Sequence, residues 1–337
     1  MKKLLILPML LLGALVTFGQ AGVVDAHKQA MDKAKDGDLD KALSIIQTAE
    51  QSYPDNLSLL KDEAFINTWK KNYTQAIEVG KKLIANPDAD EQCYQILGSA
   101  YRGASKYNEA ERVYTEAVDK YPENSLLYAE LGDALKQNNK LPQAKDAWEK
   151  GIEVGPSISS NYYFLSKFYA DHKNPLWSVL YGEMFINFES FSGRTSEIRT
   201  LVTDQYAALF ATPAVLQNYI YNGQGFEKAV ATTFQQFQDM VTGGVTPESL
   251  YALRGQFIVN WFNSDNAKQY PFKLFDRQQQ LLKLGIFEAY NQWLFASYNQ
   301  SRFSNWGHMH DGLIKEFSKF QKSSMFKVPK GEYYAHN

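Results

Sequence analysis

The residues of this chain that could carry chemistry are few and scattered. The densest group is Trp306-Gly307-His308-Met309-His310-Asp311. Alternating histidines on an extended strand share one side and can take a metal through neutral imidazole nitrogens. His308 and His310 are therefore weak candidates for a metal site. Three or four ligands are needed, however, and only Asp311 and Glu316 stand near. The plainer reading is a helix-entry loop with Asp311 as a cap or early acid, and no metal or other cofactor is expected. Cys93, the only cysteine, lies beside Tyr94 in a helical stretch, where a small apolar packing role outweighs that of a nucleophile. No Gly-x-Ser-x-Gly elbow is written in the sequence. Gly223-Gln224-Gly225 lacks the further glycine and lysine of a phosphate loop and follows no strand. His27 and His172 fall on a helix face and in an inner turn, and the acids are dispersed as solvated faces. No catalytic residue is assigned, and the chain reads as a non-enzyme.

The elements that hold these residues explain why. Hydrophobic residues make up 45% of the 337-residue chain and charged ones 21%, enough to bury a real core. The formal net charge of -2, with no basic run, gives no electrostatic footprint for nucleic acid. At the start, Lys2 and Lys3 precede an apolar run from Leu4 to Phe18, and Gly19, Gln20, Ala21 and Gly22 follow. That order is a secretory signal peptide, expected over residues 1–20 and cleaved. Its apolar run of 15 residues is short of the ~20 that a bilayer core needs, so no membrane span is expected after cleavage. No cysteine stands near the exit, so a periplasmic or secreted protein without a lipid anchor is expected.

An internal repeat organises about the next two fifths of the chain. Alanine recurs at Ala42, Ala76, Ala110 and Ala144, a spacing of 34 residues. Proline follows twelve places later at Pro54, Pro122 and Pro156, and one place early at Pro87. Leu97-Gly98 and Leu131-Gly132 repeat as a pair, with Ala30 and Ala64 at the glycine position of the earlier units, and Tyr94 matches Tyr128. Ala110, Val113, Tyr114 and Ala117 fall at i, i+3, i+4 and i+7, one face of a helix. Tyr53-Pro54-Asp55-Asn56 and Tyr121-Pro122-Glu123-Asn124 end one helix and cap the next. Polar turns such as Lys35-Asp36-Gly37-Asp38 join the two helices of a unit.

This pattern resembles the tetratricopeptide repeat family, whose unit is two antiparallel helices with small residues where they cross. The resemblance covers residues 23–156 as four clear units, and a degenerate fifth continues to about 189, with Asn174-Pro175 as its inner turn and Ser178 replacing the alanine. The expected fold is all-α: an α-solenoid of helix-turn-helix repeats over residues 23–190, then a C-terminal helical region over 195–327 and a tail over 328–337. In that region helices are expected at 195–210, 225–241, 247–262, 272–284, 285–298 and 311–322, separated by glycine, proline and polar breakers.

The resemblance also implies a function. In the family, first-helix residues three places before the glycine position, and one, four and five places after it, face a concave groove. Here these are His27 and Met31, then Lys61, Phe65 and Trp69, then Gln95, Ser99 and Arg102. Ala129, Asp133 and Lys136 follow, with Tyr163 and Lys167 in the fifth unit. Aromatic, basic and amide groups together suit an extended peptide. Some relatives hold a C-terminal carboxylate with a fixed set of lysines and asparagines, of which only Lys61 is present here, so that specificity does not carry over. The expectation is an exported adaptor binding a protein or peptide partner in the cell envelope. The alternatives are an enzyme or small-ligand binder with its site in residues 195–330, and a structural spacer with an exposed apolar patch.

Overall fold

The computed structural model describes the backbone from Leu7 to Tyr334 and the side chains from Ala21 to Tyr334. Of the signal peptide expected over residues 1–20, residues 1–6 and the side chains of 7–20 lie outside this description, as do residues 335–337 of the expected tail. Among the described residues there is no strand, and no helix is long and apolar enough to cross a membrane. The chain divides into two compact units, Met1–Ala144 and Lys145–Asn337.

The first unit is built from α1 (Leu7–Lys35), α2 (Leu39–Ser52), α3 (Leu57–Trp69), α4 (Tyr73–Ala85), α5 (Glu91–Gly103), α6 (Tyr107–Lys120) and α7 (Ser125–Gln137). Each helix packs on the next, while α1, α3, α5 and α7 form a row in which neighbours touch. That is the geometry of a solenoid, in which each hairpin buries its apolar face against the following one. The repeating alanines Ala42, Ala76, Ala110 and Ala144 are all fully buried. At Gly98 a side chain would run into the Tyr114 ring, so α5 and α6 cross closely only because no Cβ intervenes.

The turns inside the hairpins repeat as strictly as the helices. Left-handed backbone occurs at Gly37 (φ 84°), Lys71 (60°), Ser105 (56°), Asn139 (58°) and Lys173 (55°), again 34 residues apart. In the second hairpin the Asn72 amide bonds back to the Asn67 carbonyl at 2.8 Å, and in the third Lys106 bonds to Tyr101 at 2.8 Å. These bonds satisfy helix-end carbonyls as a Schellman turn does. Between hairpins the expected caps form, Asn56 accepting from Ser58 and Leu59 and Asn124 from Leu126 and Leu127, and Asp90 likewise accepts from Cys93.

The second unit opens within α8 (Leu141–Val154), followed by α9 (Ser159–Asp171), α10 (Pro175–Phe188), α11 (Gly193–Leu209), α12 (Pro213–Asn222) and α13 (Gly225–Gln235). It continues with α14 (Pro247–Asn263), α15 (Asn266–Gln269), α16 (Lys273–Lys283), α17 (Phe287–Leu294), α18 (Gln300–Met309) and α19 (Asp311–Ser323). The degenerate fifth repeat is the hairpin α9–α10. At its crossing the buried hydroxyls of Ser166 and Ser178 each donate to the other residue's carbonyl at 2.8 Å. Small polar residues thus do what alanine does elsewhere.

Three features differ from the sequence reading. The sequence places the division near residues 190–195, but α9, α10 and α11 pack on one another and α10 is buried almost all round, so the chain does not part there. The C-terminal segment is docked rather than a free tail. Phe326 and Val328 are buried, the Val328 amide donates to the Ser157 hydroxyl at 2.9 Å, and Tyr334 stacks on Phe226 with centroids 4.1 Å apart. Finally, the sequence reading holds no helix at α12 or α18. Pro213 and Gly223, read as breakers, are a helix start and stop.

Candidate peptide-binding groove

The row of α1, α3, α5 and α7 encloses a groove of about 490 Å³ lined wholly by the first unit. Its apolar floor comes from α3, where Phe65 and Trp69 lie one helical turn apart with ring centroids at 4.7 Å and a 46° tilt. They remain 39% and 47% exposed, although large aromatics normally gain by burial. Leu126 of α7, Ile96 of α5 and Met31 of α1 extend the apolar lining. Gln92 and Gln95 of α5 add two amides, and neither makes a hydrogen bond with the described residues.

The charged groups around this floor are held by one another. The His27 imidazole Nδ1 lies 2.7 Å from Asp62, and burial raises the Asp62 carboxyl above its usual range while the bond from His27 pulls it back. Lys61 donates to Asp90 at 2.6 Å. Burial works to raise the Asp90 carboxyl, but the bonds from Lys61 and Cys93 outweigh it and hold the group low. Arg102 pairs with Glu130 and, at 2.8 Å, with Asp133. Cys93 is buried on α5, where desolvation pushes its thiol up, away from the thiolate a nucleophile needs.

The structure brings Lys61, Phe65, Trp69 and Gln95 together in one groove, with His27, Met31 and Ser99. Arg102 and Asp133 stand behind it as ion-pair partners, and Lys136, half-buried near the end of α7, is outside the lining. Tyr163 and Lys167 belong to the second unit, where both bind Glu197 of α11 and the Arg194 guanidinium lies 5.1 Å from the Tyr163 ring centre. His308 lies in the last turn of α18, and His310 stacks on Trp306 at 4.4 Å, so the two are not on the extended strand that a shared metal would need. Among the described residues no three histidine, cysteine, aspartate or glutamate side chains gather as a metal site.

Sequence reasoning missed several lining residues that the repeat itself could have revealed. Asp62, Ile96 and Glu130 all stand two places before the glycine position, and Gln92 and Leu126 both stand six before it. In the second unit a separate cavity of about 190 Å³ lies among Asn187, Arg277, Tyr290 and Phe317. It is smaller than the ~300–1,000 Å³ typical of small-molecule sites. Its Arg277 is already bound to the Ser324 hydroxyl at 2.6 Å and carbonyl at 2.8 Å.

Residues 97–173 match the tetratricopeptide repeat family. The chain thus carries tetratricopeptide repeats, a scaffold type whose proteins bind protein partners. Among solved structures it is similar to MamA from Desulfovibrio magneticus RS-1, at 16% identity over 50% of this chain and 94% of that one, with a TM-score of 0.40. It is also similar to a thermophilic TPR protein of Thermus thermophilus, at 16% identity over 56% and 98% with a TM-score of 0.45. Pseudomonas aeruginosa pilF is similar at 18% identity over 63% and 96%, with a TM-score of 0.48. No curated protein matches the chain.

Proposed function

We propose that this is an exported, non-enzymatic adaptor that holds a protein or peptide partner of the cell envelope in the groove of its first unit. The observation that carries the reading is the exposed Phe65–Trp69 pair on the floor of that groove. Two large aromatics left accessible on a rigid helix are the anchors that binding hot spots use. The Lys2-Lys3 start, the apolar run and the small-residue exit support export. In the second unit one cavity is small with its arginine engaged, and another of about 520 Å³ is lined by α19 alone, without residues converging from several elements, which supports the adaptor over the small-ligand alternative.

The test pairs wild-type chain with Phe65→Ala/Trp69→Ala in pull-downs from an envelope extract, with circular dichroism as the control for folding. Loss of the captured partner with an unchanged spectrum is the expected result. Equal capture by the double variant overturns the groove reading. Export is checked by sequencing the N-terminus of the chain recovered from fractionated cells; an intact Met1 in the cytoplasmic fraction refutes it.

A further inference from the structure

The groove also carries information about the charge of its occupant. Two cations stand in or beside it, and neither is available to a ligand: Lys61 is bound by Asp90, and Arg102 by Glu130 and Asp133. Three carboxylates, Asp90, Glu130 and Asp133, bind these two cations, and a fourth, Asp62, lines the groove. The remaining partner is His27, which lies against Asp62. Within the lining the balance is therefore acidic, Asp62 and Glu130 against Lys61, and a ligand carboxylate there would meet repulsion with no unengaged lining cation to receive it. The floor adds a second preference of the same sign. The exposed faces of Phe65 and Trp69 attract a cation through the ring quadrupole and an aliphatic side chain through burial. The unbonded amides of Gln92 and Gln95 supply the donors and acceptors that an extended backbone requires.

Building on the groove reading above, we propose that the groove selects an extended peptide segment in which an arginine or lysine stands beside an aliphatic or aromatic residue. The basic side chain lies over the Phe65–Trp69 pair and toward Asp62. Its apolar neighbour packs along Ile96 and Leu126. The occupant is thus the opposite of a peptide held by its terminal carboxylate.

The test uses short fluorescently labelled peptides with amidated C-termini, identical except that Arg-Phe and Lys-Leu pairs in one are Glu-Phe and Glu-Leu pairs in the other. A third peptide has a free acidic C-terminus. Anisotropy titrations against the full mature chain are expected to give at least about tenfold tighter binding of the basic peptide, weakening with salt. Gln92 is exposed and takes part in no ion pair, so Gln92→Lys is expected to weaken the basic peptide several-fold and Gln92→Glu to strengthen it, without disturbing the fold. Equal or tighter binding of an acidic peptide, lost in Trp69→Ala, overturns the charge preference while leaving the groove as the site. Binding indifferent to Trp69→Ala, or no binding of any peptide, overturns both.

Discussion

Replacing Glu183 by glutamine should destabilise the second unit more than any surface change, and the structure says by how much. Glu183 is 1% exposed on α10. Its carboxylate accepts from the Tyr206 hydroxyl at 2.6 Å, Arg254 at 2.5 Å, the Gln278 amide at 2.8 Å and the Tyr290 hydroxyl at 3.0 Å. Arg254, also 1% exposed, gives its other arm to Asn291 at 2.7 Å and lies 5.2–5.7 Å from the ring centres of Tyr206, Phe287, Tyr290 and Phe295. Five helices, α10, α11, α14, α16 and α17, meet at this ion pair. Glu183→Gln leaves the guanidinium charged in a dry site and points an amide donor at other donors, so the expected loss is about 3–5 kcal/mol. Arg254→Met removes the cation but leaves three neutral donors on the carboxylate, so it should cost less, about 2–3 kcal/mol. Against a total stability of about 5–15 kcal/mol either loss is large. Urea titration followed by tryptophan fluorescence should move the midpoint by about 1–2 M for Glu183→Gln. Hydrogen exchange then assigns the loss to α10, α14 and α17, because two compact units need not unfold together. A loss below about 1 kcal/mol for Glu183→Gln, or a larger one for Arg254→Met, refutes the reasoning.

Two further predictions concern the first unit. Burial pushes the Glu50 carboxyl up to about 7, with repulsion from Glu63 adding and attraction to Lys82 subtracting. The folded state thus favours the protonated form, and the stability present below about pH 4.5 is lost as pH rises through about 7. Glu50→Gln should therefore be more stable than wild type at about pH 8 and nearly equal at about pH 5; melting curves that differ equally at both refute it. In the repeating turns, Ser105 holds a left-handed conformation that costs a non-glycine residue about 1–3 kcal/mol. Part of that is offset by the freedom glycine gains when unfolded, so Ser105→Gly should stabilise by under about 1 kcal/mol. Gly37→Ala, at φ +84° with nothing near a new Cβ, should cost at least that much. Thermal melts in which both substitutions act in the same direction would contradict this account.

The 34-residue register, the buried alanines, the caps at Asn56 and Asn124 and the α9–α10 hairpin were all legible in the chain itself. Each depends on residues within a few turns of one another, or on a spacing that repeats, so a local pattern carries the information. The candidate groove was half legible for the same reason. Position within the repeat tells which side chains share a face, as for Lys61, Phe65, Trp69 and Gln95. It does not tell what those side chains meet. That Asp90 neutralises Lys61, or that Glu197 claims Tyr163 and Lys167, depends on neighbours about 30 residues away whose distances only the packed hairpins fix.

The second half of the chain has no repeat to read, and tertiary structure decided most of it. Glu183, Tyr206, Arg254, Gln278, Tyr290 and Asn291 look like scattered helix-surface residues in the sequence, yet they converge in one dry cluster. The docked segment from Phe326 to Tyr334 was equally hidden, since its partners Ser157, Tyr181 and Phe226 lie more than a hundred residues upstream. The sequence alone determined which helices form within the repeats and how the hairpins repeat, because those follow from short-range hydrogen bonding and periodic apolar faces. Which charges are quenched, which aromatics stay open and where the chain divides were settled only by long-range packing, because those contacts join residues that no local pattern connects.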